Sequence, residues 1–269
     1  MREEPPRPTS KPRFAHLVEL FERSVRLYGG RELFGQRELG TLRWTTYAEV
    51  GALVDATRAG LSALGLRRGE RVCLVAGNRI EWAVVAYAAY GLGLAVVPLD
   101  EAIPIDEVAF VVRDSAAAAL FAGGAFEACD GLRAAVPTLR SVHGFDLPAA
   151  HPRSFRALLE LGRATRAPSV APSAADTACL LYTSGTTGHP KGVVLSHANV
   201  ASNIVAVHEC FPITGDDRSL SFLPWAHSFG HTCELHTLLS AGGSIALATA
   251  PERLLDEVAD AQPTVLMSV

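Results

Sequence analysis

The sequence is short of charge. Asp, Glu, Lys and Arg make up 19% of its 269 residues, against about 25% in average globular chains. It also lacks a basic surplus: 24 Lys and Arg stand against 28 Asp and Glu, a formal net charge of -4. A nucleic-acid partner is therefore not expected, because phosphate backbones are bound by clustered positive charge. Any anionic ligand must be held by local groups. Cysteine pairs at metal or redox spacing are missing too. Cys73, Cys129, Cys179, Cys210 and Cys233 are odd in number and widely spaced, with no C-x-x-C. That argues against a disulfide scaffold and a zinc ribbon, and suits reduced thiols in a cytoplasmic setting. Cys73 and Cys179 lie in apolar runs and read as packing residues. The first thirteen residues carry four prolines and mixed charge, with no apolar core of a secretory signal, and read as a disordered arm over 1–13. No sustained heptad and no internal repeat occurs, which excludes a coiled-coil rod.

One uncharged run, Trp82 to Leu99, comes near the roughly 18–20 residues of a membrane span. Gly91 and Gly93 break it and Pro98 sits near its end. It reads as a buried helix, a tight turn and a buried strand, so no transmembrane span is expected. What is present is apolar residue, 49% of the chain, enough to offset chain entropy and exclude disorder for most of its length.

Thr46 and Glu49 have capping-box spacing. Behind them Val50, Leu53, Val54, Thr57, Leu61 and Leu64 recur at helical intervals, and Gly65 follows as a stop. Val72–Ala76 reads as a buried strand, Asn78 as the cap of a helix over 79–90, and Leu94–Pro98 as a second strand. A helix over 106–114 and a strand over 118–122 follow. After residue 175 strands are expected at 177–183, 192–195, 220–223, 244–248 and 264–269. Helices are expected at 197–209 behind a Ser196 cap, at 235–239 and at 251–260. The alternation predicts an α/β fold: two βα-type lobes with mainly parallel sheets covered by helices, whose strands are apolar throughout because both faces are buried. The stretch 162–175, rich in Arg, Ala, Pro and Ser without periodicity, reads as a linker. It divides a first lobe at 14–161 from a second at 176–269. The chain stops at Val269 inside an apolar run, which leads to the expectation of a fragment truncated at its C-terminal end.

The most informative stretch is Leu180-Leu-Tyr-Thr-Ser-Gly-Thr-Thr-Gly-His-Pro-Lys191. An apolar strand runs into a loop holding the hydroxyls of Thr183, Ser184, Thr186 and Thr187 with Gly185 and Gly188, and the loop ends at Lys191. Glycines let backbone N–H groups approach an anion, hydroxyls add neutral donors, and the lysine adds a point positive charge for phosphate oxygens. It is not a P-loop: Pro190 precedes the lysine, Gly192 follows it, and Val193-Val-Leu195 is strand-prone where a P-loop opens a helix. A polar turn of this composition is otherwise common, so composition alone leaves both readings open.

The full twelve-residue string resembles the AMP-binding signature of the adenylate-forming family, which includes acyl-CoA synthetases, luciferases and the adenylation domains of peptide synthetases. Phe222-Leu-Pro-Trp-Ala-His-Ser-Phe-Gly230 is similar to the family's second motif, and Ser196-His-Ala-Asn199 also fits. Asn78-Arg-Ile-Glu-Trp82, Tyr90-Gly-Leu-Gly93 and Val97-Pro-Leu-Asp-Glu101 resemble the long-chain acyl-CoA synthetase branch. The likeness runs from about Phe14 to Val269. It implies the N-terminal part of such an enzyme. The implied reaction is ATP-dependent activation of a carboxylic acid, in that branch a long-chain fatty acid. It passes through an acyl-adenylate and ends at acyl-CoA, with ATP, Mg2+ and coenzyme A taking part. It implies that Thr183, Ser184, Gly185, Thr186, Thr187, Gly188 and Lys191 close on the phosphates. It further implies that His227 serves catalysis beside the acyl carboxylate and α-phosphate, and that Trp225 and Phe229 shape the acyl pocket with it. This sequence has no counterpart of the family's Tyr-Gly-x-Thr-Glu string with its magnesium-holding glutamate, of its ribose-binding aspartate, or of its C-terminal catalytic lysine. The expectation is a unit inactive alone. The alternative is a non-catalytic nucleotide-binding pseudoenzyme, or half of a split ligase with a complementary C-terminal polypeptide.

Other chemistry is weaker. His227, His231 and Glu234 fall at i, i+4 and i+7 with Cys233 and His236 nearby, a spacing that could suit zinc. The string lacks the glutamate of H-E-x-x-H, and Pro224 and Gly230 interrupt a regular helix, so no metal site is expected and His231 and His236 read as satisfied helix or core histidines. No G-x-S-x-G elbow exists, so Ser184 and Ser196 are not read as nucleophiles.

Overall fold

The computed structural model describes residues 13–183 and 190–268. The expected arm over 1–13 lies outside the described residues apart from Arg13.

Two mostly parallel sheets form the frame. The larger one comprises β3 (Arg71–Val75), β4 (Ala95–Leu99), β5 (Ala119–Ala122), β6 (Ser141–Gly144), β7 (Thr177–Thr183) and β8 (Lys191–Ser196). Its order is β6-β5-β3-β4-β7-β8, parallel throughout except for the antiparallel β7–β8 pair. The smaller sheet has the order β2-β1-β10-β9, from β1 (Glu32–Glu38), β2 (Thr41–Thr46), β9 (Arg218–Ser221) and β10 (Ser244–Leu247). Only its β1–β2 pair is antiparallel.

Strand periodicity sets the layers. On β3, Val72 and Leu74 face a large core between the sheets, together with Phe34 of β1 and Ile245 of β10. Cys73 and Val75 face an outer core under α4 (Ile105–Asp114) and α5 (Phe126–Gly131). Across the small sheet, Leu220 and Ala246 meet α9 (Leu254–Ala261). The central layer holds α1 (Leu17–Tyr28), α2 (Tyr47–Ala63) and α3 (Ile80–Tyr90). Every residue of α3 from Trp82 to Tyr90 is buried. The uncharged run is thus a helix between two sheets, ending at Tyr90, then a turn through Gly93 with φ +69 that leads into β4. No described helix is long and apolar enough to cross a membrane.

The capping box at Thr46 and Glu49 forms as the spacing predicts, and Ser196 builds a second one with Asn199 at the start of α7 (His197–Cys210). The division in space differs from the division along the chain. β1 and β2, from the front of the chain, share a sheet with β9 and β10, while β7 and β8 complete the sheet of β3–β6. Residues 162–175 pack against the central helices: the Val170 N–H donates to Gly91 O at 2.8 Å and Arg58 Nε donates to Ala167 O at 3.0 Å. β7 then fills the free edge of β4 at Val96↔Cys179. The strand expected over 264–269 reduces, among the described residues, to one parallel bridge, Ser219↔Val265.

Candidate functional site: a hairpin mouth and a histidine segment at the strand ends

In open α/β sheets, ligand sites gather beyond the carboxyl ends of parallel strands. Both segments singled out by sequence lie there. β7 ends at Thr183 and β8 begins at Lys191, and these two residues are paired across the antiparallel ladder. The loop between them is therefore held at its mouth by sheet hydrogen bonds. Ser184, Gly185, Thr186, Thr187 and Gly188 lie outside the described residues; Thr183 and Lys191 are both exposed. Tyr182 anchors the hairpin by donating its hydroxyl to Asp114 Oδ2 at 2.6 Å, at the end of α4. Burial first, then this bond, raise the tyrosine's pKa, so it stays a donor. Gly192 lets the partner strand pass over that ring, since a Cβ there would lie 3.0 Å from Tyr182 Cζ.

The histidine segment, residues 222–229, follows the carboxyl end of β9. His227 donates its backbone N–H to Pro224 O at 3.0 Å, and its carbonyl accepts from the His231 N–H at 3.0 Å. Its side chain is exposed, as is that of Phe229. Trp225 is fully enclosed: its ring packs 5.7 Å from Trp82 and 5.8 Å from Phe34, centroid to centroid. In this conformation it offers a ligand no surface and supports the segment from beneath.

The two segments belong to different sheets, and Asn78 joins their edges. It does not cap α3, whose N-cap is Arg79 without a side-chain bond. Instead its Nδ2 donates to Leu223 O at 2.8 Å and to Ser221 Oγ at 3.0 Å, and its Oδ1 accepts from Trp225 N–H at 2.8 Å. Val72, Val96 and Cys179 lie in register across β3, β4 and β7. Thr183 therefore stands level with Ala76, two strands away, or roughly 10 Å across the sheet. The hairpin mouth and the anchor of the histidine segment thus share one edge of the molecule.

Residues 230–236 form a π-helical stretch, Gly230–His236, continued by α8 (Thr237–Ala241). The wider winding turns Glu234, His231 and His236 into the core, where all three are buried. Burial lowers the pKa of His231 to about 4 and pushes that of His236 well down, so both are neutral. His236 Nδ1 meets the Tyr87 hydroxyl at 2.6 Å, while His236 Nε2 and His231 Nδ1 have no partner. His231 Nε2 meets the Tyr90 hydroxyl at 3.4 Å, so the expectation of satisfied histidines holds for one ring nitrogen of each and not for the other. Among the described residues no group of three or more His, Cys, Asp or Glu side chains is placed to hold a metal ion. These residues do not fit a resident Mg2+.

Sequence reasoning missed the clamp made by Asn78. The available signal was a polar residue three positions beyond the end of a parallel strand, where functional side chains concentrate.

This architecture is an α/β fold of two mostly parallel sheets, with the hairpin mouth and the histidine segment beyond the carboxyl ends of β7 and β9. The sequence matches the family described as AMP-binding enzyme over residues 21–269, and the chain belongs to that family. It is 30% identical to the peroxisomal long chain acyl-CoA synthetase 6 of Arabidopsis thaliana over 96% of this chain and 39% of that protein. It is 32% identical to the long-chain-fatty-acid–CoA ligase FadD15 of Mycobacterium bovis, over 84% of this chain and 39% of that one. Among solved structures, the N-terminal domain of FACL13 from Mycobacterium tuberculosis superposes with a TM-score of 0.82 at 25% identity, covering 93% of this chain and 62% of that one. MatB from Rhodopseudomonas palustris shares the fold, with a TM-score of 0.80 at 25% identity, covering 95% of this chain and 49% of that one. The chain spans about two fifths of the length of the curated relatives it matches.

Proposed function

We propose that this chain supplies the triphosphate clamp and one wall of the acyl site of an ATP-dependent acyl-CoA ligase acting on long-chain fatty acids. The observation that carries this reading is the β7–β8 hairpin, whose paired mouth residues Thr183 and Lys191 flank the hydroxyl- and glycine-rich stretch. Joining a carboxylate to the α-phosphate of ATP brings two anions together, so positioning and charge neutralisation supply most of the catalysis. In this reading Thr183, Ser184, Gly185, Thr186, Thr187, Gly188 and Lys191 hold the β- and γ-phosphates. His227 lies beside the carboxylate and α-phosphate. Phe229 lines the acyl side, with Trp225 behind it. ATP, Mg2+ and coenzyme A take part in the reaction in this reading. The names of the curated relatives support a long-chain fatty acid as substrate, and the five free thiols suit a cytoplasmic setting.

A ligand that binds only the native state raises its melting point. ATP should raise the melting temperature of the 269-residue protein saturably, by several degrees, and a long-chain fatty acid should add to that rise. ATP–pyrophosphate exchange by this chain alone should stay at background. A melting point that ATP leaves unmoved contradicts the clamp; robust exchange contradicts the division of labour.

A further inference from the structure

Among the described residues no strand pairs with the segment that presents His227, yet three independent features grip it. Asn78 reaches across from the edge of the larger sheet and uses its whole amide on Ser221, Leu223 and Trp225. Its pairing with the Leu223 carbonyl and the Trp225 N–H imitates one rung of a β-ladder. Glu234 comes from the other side: its Oε2 accepts the Ser221 hydroxyl and the Trp225 indole N–H. The third feature is Gly230, where a Cβ would lie 2.7 Å from Pro224 O and 2.9 Å from Leu223 O. Only glycine allows the π-helical stretch to lie this close to the segment's carbonyls.

A buried carboxyl is costly, and removing its partners is more so. Burial raises the pKa of Glu234; the bonds from Ser221 and Trp225 oppose that, as does the nearby Ser219 hydroxyl, which itself lacks hydrogen-bond geometry. An apolar residue would fill the space at lower cost. What the carboxyl adds is direction: the Asn78 amide donates to the Ser221 hydroxyl, which donates to the carboxyl, and the Trp225 indole donates to it separately.

We propose that Asn78 and Glu234 are positioning residues that fix the segment 221–227 and so set where the His227 imidazole stands at the ligand edge. Neither touches a reacting atom. The use of that position in acyl activation rests on the function proposed above; the tether itself does not.

The test is amide hydrogen exchange on the ligand-free 269-residue protein, read residue by residue. Asn78→Ala should speed exchange at the amides of Trp225, Ala226 and His227 by at least tenfold and leave those of α2 and α3 unchanged. Glu234→Ala should do the same, and Glu234→Gln, which keeps one acceptor oxygen, should restore much of the protection. Unchanged exchange at 225–227 in both Asn78→Ala and Glu234→Ala overturns the proposal, and so does a uniform rise over the whole chain. A second arm follows the His227 imidazole resonance, assigned with His227→Gln, as AMP is added. It should move in the unmodified protein and move less in Asn78→Ala. A resonance that AMP leaves still in the unmodified protein sinks the proposed function, while the exchange result decides the tether.

Discussion

The buried imidazole of His231 makes acid the weak point of the interior. It lies 4.6 Å from the His236 ring and 5.7 Å from that of Trp82, fully enclosed. Its pKa falls from 6.5 to about 4 because burial disfavours the cation. In the unfolded chain it takes a proton as the pH drops through about 6.5, whereas in the fold it resists until about 4. Stability is therefore full above pH 6.5, is lost progressively as the pH falls, and levels off below about 4. Each tenfold change in proton affinity is worth about 1.4 kcal/mol, so His231 alone costs about 3 kcal/mol in acid. Melting curves should be flat above neutral pH and fall steeply from 6.5 to 4, with a shallower fall in His231→Gln. Equal slopes in the two proteins contradict this assignment.

Among elements, the crossing of α2 with α6 (Phe155–Arg163) is the tightest constraint. A Cβ on Gly162 would stand 1.7 Å from Ala56 O, and one on Gly60 would stand 2.7 Å from Leu158 O. The helices touch backbone to backbone, so Gly162→Ala forces them apart. Overpacking of this kind costs about 1–3 kcal/mol and should lower the melting point by several degrees. Gly131→Ala, where a Cβ meets nothing within 4 Å, is the neutral control. A neutral Gly162→Ala contradicts the packing. Legibility at this scale follows locality. The box at Thr46, the cap at Ser196, the buried helix before Gly91 and the strands β3, β4, β5 and β7 declare themselves through neighbours in sequence. The sequence reading does not mark β1 or β2, because β1 is charged at both ends and its parallel partner, β10, lies two hundred residues away. The π-helical winding at 230–236 is also invisible, since it answers to what Gly230 and Glu234 touch.

At the scale of the whole molecule, the candidate site was legible as a string and not as a place. The signature from Leu180 to Lys191 and the His227 motif could be read from the residues. That they share one edge follows from Asn78 and from β7 entering the sheet of β3 and β4, neither of which sequence spacing records. For the same reason each sheet draws strands from both parts of the chain, because strand pairing ignores the order of the chain. The shared edge makes a definite demand on ligand binding. If the hairpin holds β- and γ-phosphates, its lysine matters for ATP and little for AMP. The direct test is calorimetric titration of the 269-residue protein and its Lys191→Ala variant with ATP and with AMP. The account predicts that Lys191→Ala weakens ATP at least tenfold and changes AMP by less than about twofold, a gap of roughly 1 kcal/mol or more. Equal ATP affinity in the two proteins would contradict it.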